Sequence, residues 1–313
     1  MKTKWNQSGR HHCLCRRSPG STLLRPLILF SLLLTSLPAC LISSCNIWKE
    51  PLQENETVNV AVDSCWFELF CSVHSEIADT APPVQHLDVL VYDADGVSGL
   101  ESWNRYDAIP DTIRIKGAKR LKTIVAIANS PRSFNRRAIE RYDSIELLSY
   151  EFDEDSPEIP LMSGICSLSP DAPGHIRLEP LLARVRLCEV SNTMRKYVRL
   201  EDPRIYLENM NASAEILRSS GFRPTEVLEG QRKVSLPYDI GIYSQHPLTE
   251  LFCYPNDSDA ASMGTPRTSL VFECEIQGQT CRFPIPLESV ARNKTLHVDI
   301  TVNAPDLYDS KVY

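Results

Sequence analysis

Period-two alternation of apolar and polar residues recurs along this chain, and it predicts strands far more often than helices. Leu296-His297-Val298-Asp299-Ile300-Thr301-Val302 alternates without a break. Val271 to Ile276 and Gln279 to Phe283 flank Gln277-Gly278, a two-residue loop that reads as a tight hairpin. That register sets Cys274 opposite Cys281 and Phe272 opposite Phe283. Phe272, Cys274, Ile276, Cys281, Phe283 and Ile285 then share one apolar face, and Glu273, Glu275, Thr280 and Arg282 the other. Further strands are expected at 65–71, 87–93, 185–190 and 204–207, with a fully buried one at Lys122–Asn129. Ser133 to Leu148 is the single convincing helical stretch of the first half. Pro255, Pro266, Pro284 and Pro286 fall at strand starts or edges, where a missing N–H is tolerated. Many short strands, frequent proline and little helix predict an all-β chain built as sandwiches.

The first 45 residues have a different pattern. Lys2, Lys4, Arg10, Arg16, Arg17 and Arg25 precede an apolar core, Leu27 to Leu37, with no acid among them. A basic region, a short apolar run and small residues form the layout of an export signal. The core is too short for the ~20 residues that span a bilayer. Leu37-Pro38-Ala39-Cys40 and Ile42-Ser43-Ser44-Cys45 each end in a small residue and a cysteine, as a lipoprotein signal does. Polar sequence follows Cys45 at once, so Cys45 is the expected lipidation site and Cys40 the second choice. Organisation follows: 1–45 as signal, 46–172 as a first sandwich with a minor helix, 173–313 as a second.

Removing the signal sharpens the charge. Six of the 33 basic residues precede Cys45 and all 40 acidic ones follow it, so the mature chain carries 27 against 40, or −13. That disfavours nucleic acid and polybasic attachment to lipid. Of 11 cysteines, Cys65, Cys71, Cys166, Cys188, Cys253, Cys274 and Cys281 remain beyond Cys45, and most lie in strand patterns, where a thiol packs as a small hydrophobe. Cys65 and Cys71 lie six positions apart on one strand, about 20 Å, too far to bond. Cys274 and Cys281 are the candidate disulfide.

Chemistry-bearing motifs are sparse. His74, His86, His175, His246 and His297 are scattered, without metal-ligand spacing, and no nucleophile elbow or phosphate loop occurs. Asp93-Ala94-Asp95-Gly96 opens like a calcium loop but lacks the later ligands, so a turn is expected. The acid run Glu151, Asp153, Glu154, Asp155 and Glu158 reads as a solvated loop. No catalytic residue, cofactor or metal is assigned, and an enzyme is not expected. Trp66 is expected in the core, and Trp103 is the exposed aromatic that would test sugar binding. Four N-x-[ST] sequons, at Asn55, Asn211, Asn256 and Asn293, would not ordinarily be read in a bacterial lipoprotein.

Several segments together resemble the fimbrillin superfamily of surface lipoproteins. "HLDVLVYDADG" is similar to a strand and turn of that family's first domain, and "LKTIVAIANSP" to a strand ending in asparagine. "IPLMSG" and "LLARVRL" resemble the passage between domains; "LFCYPND", "LVFECEIQGQTCRFPIPL" and "SVARNKTLHVDITV" resemble the closing strands. The resemblance covers nearly all of residues 45 to 303. It implies two transthyretin-like β-sandwiches, a palmitate-type lipid anchor in the cell outer membrane, surface exposure, and a part in a cell-adhesive fimbrium as shaft, tip or anchor. In shaft subunits an arginine-directed protease removes the first strand, and a neighbour's donor strand fills the groove. Between Lys49 and Arg105 this chain has neither lysine nor arginine. The first strand, about Val58 to Val73, is therefore expected to be retained, as in an anchor or accessory subunit whose partners are other fimbrial subunits. A glycan-binding surface lipoprotein, with a glycan or host-surface ligand, is the alternative, and a polymerising shaft or tip subunit another.

Overall fold

Residues 87–93 and 122–128 are apolar on both sides of the pleat, and that places them at the centre of the molecule. The structure, a computed structural model, describes residues 63–95, 99–195, 197–228, 232–258 and 266–313. Both proposed lipidation sites and Asn55 lie outside the described residues.

The first half runs β1 (Ser64–Val73), β2 (Leu87–Asp93), β3 (Leu100–Tyr106), β4 (Ile113–Ala118), β5 (Lys122–Ala128), α1 (Tyr142–Glu146), β6 (Ser149–Glu151), β7 (Met162–Leu168) and β8 (Gly174–Pro180). Seven of these strands form one folded-over sheet in the order β3-β2-β5-β7-β8-β1-β4. β7 and β8 pair only at Met162–Pro180 and Ser163–Glu179, so the sheet turns a corner there and closes on itself as a sandwich. Phe67 and Leu69 of β1, Ile113 and Ile115 of β4, and Ile176 and Leu178 of β8 face Leu87, Val89, Val91, Ile124, Ala126 and Met162 across that core. β1 is an inner strand, antiparallel to β4 and parallel to β8.

The second half runs β9 (Ala183–Asn192), β10 (Glu201–Glu208), β11 (Met210–Asn211), β12 (Ser213–Glu215), β13 (Val227–Leu228), β14 (Val234–Ser235), β15 (Thr249–Cys253), β16 (Ser269–Ile276), β17 (Gln279–Pro286), β18 (Thr295–Ala304) and β19 (Leu307–Val312). Two four-stranded sheets, β14-β10-β16-β17 and β15-β9-β18-β19, enclose a second core. The hairpin register is the one read from sequence: Cys274 faces Cys281 and Phe272 faces Phe283. The fold is all-β, with one short α-helix among the described residues.

A third cluster joins the two sandwiches. Leu90, Tyr92, Val125 and Ile127, on the far faces of β2 and β5, pack with Ile139, Tyr150, Leu181, Leu182, Ile216, Phe222 and Tyr254. This double burial explains the unbroken apolar run of β5. All of it lies in one unit, Val60–Tyr313.

Two expectations change. The helix predicted over Ser133–Leu148 shrinks to Tyr142–Glu146. Pro131 precedes it, and the Asn135 side chain takes the Arg137 amide at 3.0 Å, a local turn that competes with helix. A strand also follows the one at 295–304: β19 pairs along its edge from Val298–Val312 to Ala304–Leu307. Among the described residues no helix is long and apolar enough to cross a membrane.

Candidate functional site

The retention of β1 depends on the connection that follows it, residues 74–86. His74 continues the ladder, its amide donating to Leu178 O at 2.8 Å. The chain then crosses to the start of β18. Glu76 N donates to Asn293 Oδ1 at 2.9 Å, and Asn293 Nδ2 donates to His74 O at 3.1 Å. Thr295 Oγ1 donates to Glu76 O at 2.6 Å, and Lys294 Nζ reaches both Glu76 carboxylate oxygens at 2.6 Å. The hydrogen bond from Lys294 holds the Glu76 carboxyl below its ordinary range. Ile77 is buried, and Asp79 lies 3.5 Å from Arg184.

The far end of the connection is held in the same manner. Gln85 N donates to Asn129 Oδ1 at 2.9 Å, and Asn129 Nδ2 donates to Pro83 O and Pro160 O at 2.8 and 3.0 Å. Asn129 and Asn293 share a backbone feature: their φ angles are +59° and +56°. Asparagine tolerates this left-handed region better than other side-chain-bearing residues, and its amide both donates and accepts. Each therefore ends its segment with a sharp turn and clasps the connection with both functions of one side chain. The sequon reading of Asn293 missed this. Asn211 and Asn256 are buried too, with Nδ2 donating to Pro255 O at 3.0 Å and to Pro266 O at 3.1 Å.

Arg292, beside Asn293, bridges the two sandwiches. Nε donates to Pro180 O at 3.1 Å, one terminal nitrogen to Ile216 O at 2.8 Å, and the other to Glu179 O at 2.6 Å and Ser163 Oγ at 2.9 Å. Burial lowers its guanidinium to about 10, which leaves it charged at neutral pH. The fork matches a cluster of carbonyls rather than a carboxylate, so the residue works as a rivet.

Several of the acidic residues singled out in the sequence have structural partners. Asp93 pairs with Lys122, whose ammonium is fully buried and lies also against Glu101. The Asp93 turn thus serves a buried lysine. In the 151–158 run, Glu154 takes the Arg132 guanidinium and the Glu151 amide. Asp155 is half-buried with its carboxyl turned in under the loop, accepting Ser156 N and Leu161 N at 2.9 and 2.8 Å. Among the described residues no group of three or more His, Cys, Asp or Glu is placed to hold a metal ion.

The two tryptophans exchange roles. Trp103 is half-buried: its indole N–H donates to Asp88 Oδ1 at 2.8 Å, and its ring packs edge-on against Phe134. Trp66, expected inside, is 63% exposed. The inward positions of β1 are Phe67 and Leu69, so Trp66 and Glu68 necessarily point out. Among the described residues seven cysteines are free thiols, with Cys253, Cys274 and Cys281 buried.

No family model matches the sequence, and no curated protein matches it. Solved structures do. The tip fimbrial protein Mfa3 from Porphyromonas gingivalis superposes with a TM-score of 0.52 at 12% identity, over 80% of this chain and 99% of that one. A fimbrilin (FimA) from the same organism gives 0.56 at 11% identity, over 77% and 90%. A fimbrial assembly protein from Parabacteroides distasonis gives 0.51 at 12% identity, over 80% and 96%. Likeness over nearly the whole of each of those chains shows that this chain has the fimbrillin-like, two-sandwich all-β fold.

Proposed function

We propose that this chain is a non-enzymatic subunit of surface fimbriae, an anchor or accessory component that keeps its first strand and stays at the cell outer membrane through a lipid on Cys45. The observation that carries the reading is the connection 74–86. It holds no lysine or arginine, and both its ends are clasped by buried asparagine side chains. Losing β1 would strip the partner from both β4 and β8 and open an apolar groove that some other strand must fill. Retention makes an N-terminal lipid useful, because the tether then stays joined to the folded body. The pairing of β8 with β1 supports moving the limit between the two domains from residue 172 to Leu181–Leu182.

N-terminal analysis of the protein taken from isolated surface filaments and membranes tests this. The expected product is acylated on Cys45, blocked to sequencing, and sub-stoichiometric to the filament. A mature start between residues 74 and 87 would overturn it. Cys45→Ala should release the protein from membranes; release by Cys40→Ala alone moves the lipid to Cys40.

A further inference from the structure

We propose that the outer face of β1 and β4 around Trp66 binds an acidic glycan. The proposal rests on the surface location and on the retention of β1 argued above, because Trp66 and Glu68 belong to that strand.

The face is laid out by strand parity. Outward positions of β1 carry Trp66, Glu68 and Phe70, and register puts Lys116 opposite Trp66 and Arg114 opposite Glu68. An indole left 63% exposed on a regular strand offers a flat apolar plate to solvent. Beside it lies a recess of about 280 Å³ lined by Trp66, Glu68 and Arg114. That is just under the ~300 Å³ at which small-ligand clefts begin, so it suits one sugar ring of a longer chain. The chemistry fits: the plate takes the C–H face of a pyranose, guanidinium N–H groups donate to hydroxyls, and the carboxylate accepts from them. Glu68 and Arg114 stand 3.8 Å apart, with side chains 51% and 72% exposed, so their mutual pairing is worth little and leaves both available.

Charge selects an acidic sugar over a neutral one. Lys116, opposite Trp66, makes no ion pair among the described residues, and with Arg114 it outnumbers Glu68 beside the recess. Acids exceed bases by 7 over the whole chain, so a locally positive strip stands out against a negative body. That net negative charge works against nucleic acid as the polymer held there.

The test is affinity electrophoresis of the lipid-free mature chain through gels containing polygalacturonate, polysialic acid or neutral dextran. Retardation is expected in at least one acidic gel and absent in dextran. Trp66→Ala and Lys116→Glu should each weaken it at least ten-fold without moving the thermal midpoint, since both side chains are exposed. The proposal is overturned by no retardation in either acidic gel, by equal retardation of Trp66→Ala, or by tighter binding to single-stranded DNA than to either polysaccharide. None of those results would change the N-terminus of the surface form, whereas a mature start after residue 73 would remove Trp66 itself, so the two failures are told apart by the N-terminus.

Discussion

Asn293 receives the Glu76 amide across 217 positions of chain, with 2.9 Å between Glu76 N and Asn293 Oδ1. This contact and its return bond to His74 O join the segment after the first strand to the start of the β18 strand. Asn293→Ala should lose both hydrogen bonds and leave at φ +56° a residue that tolerates the left-handed region less well than asparagine. Together these cost about 2–4 kcal/mol. Asn293→Gly keeps the backbone and loses only the bonds, so it should be less damaging by about 1–2 kcal/mol. Lys294→Ala, which removes an exposed ion pair, should cost under about 1 kcal/mol. Denaturant midpoints rank the three; equal losses for all would refute the clasp.

Thr80 lies exposed in the same connection. Thr80→Arg supplies the one residue that a trypsin-like protease lacks between Lys49 and Arg105. The native variant should be nicked after position 80. Its first strand should stay bound, held between the β4 and β8 strands, until denaturant is added. Native and denaturing mass measurements separate the two steps. Resistance of the native variant to cutting would mean that the clasps shield the connection as well as hold it, and that missing basic residues are not what protects the first strand.

How much of this was legible in the sequence depends on what each side chain answers to. The 122–128 strand reads directly because both its faces are buried, and the 269–286 hairpin because its turn fixes the register. Trp66 was misplaced although parity held the answer: with Phe67 and Leu69 inward, Trp66 must point out. The β19 strand left no apolar signature because most of Leu307–Val312 is exposed at a sheet edge, where alternation is not demanded. The clasp could not be read at all. Asn293 and Glu76 meet only through the fold, and the local signal at Asn293 is a sequon that suggests different chemistry.

Asp155 gives a pH signature. Burial pushes its carboxyl up to about 6, against two backbone N–H bonds that lower it. A carboxyl whose folded value is raised stabilises the fold below about pH 4, and that contribution is lost as pH rises through 6. About two units correspond to about 3 kcal/mol. Asp155→Asn removes the ionisation, so the stability of the variant relative to the parent should improve by about that amount between pH 4 and 7. Glu76 and Glu154, both lowered by their cationic partners, titrate equally in the two proteins and cancel in the difference. A relative stability that does not change with pH would contradict the burial of Asp155.

Cys274 and Cys281 face each other inside the second core, and burial, with Cys281 nearby, pushes the Cys274 thiol up to about 12. The native reduced protein should therefore leave Cys274 unalkylated at pH 8, because the thiolate is the reacting species. Both are free thiols in the structure, and their register leaves a cross-strand disulfide open to them. Non-reducing peptide mapping of the exported protein separates the two states: linked peptides show the bond, and recovery of both as free thiols excludes it.

The rivet makes the sharpest prediction about cooperativity. Arg292→Met keeps the stem but leaves the carbonyls of Pro180, Glu179 and Ile216 without this donor. At about 1 kcal/mol or more for each, the loss should reach about 3–4 kcal/mol. Arg292→Lys retains the charge but cannot span the same set, because an ammonium lacks the planar fork, and it should recover only part of the loss. These acceptors belong to the first sandwich and the joining cluster, while Arg292 leads into the β18 strand of the second. Weakening the contact should therefore separate the unfolding of the two sandwiches into two transitions in calorimetry. A single transition with less than about 1 kcal/mol lost in Arg292→Met would show that the joining apolar cluster alone couples them.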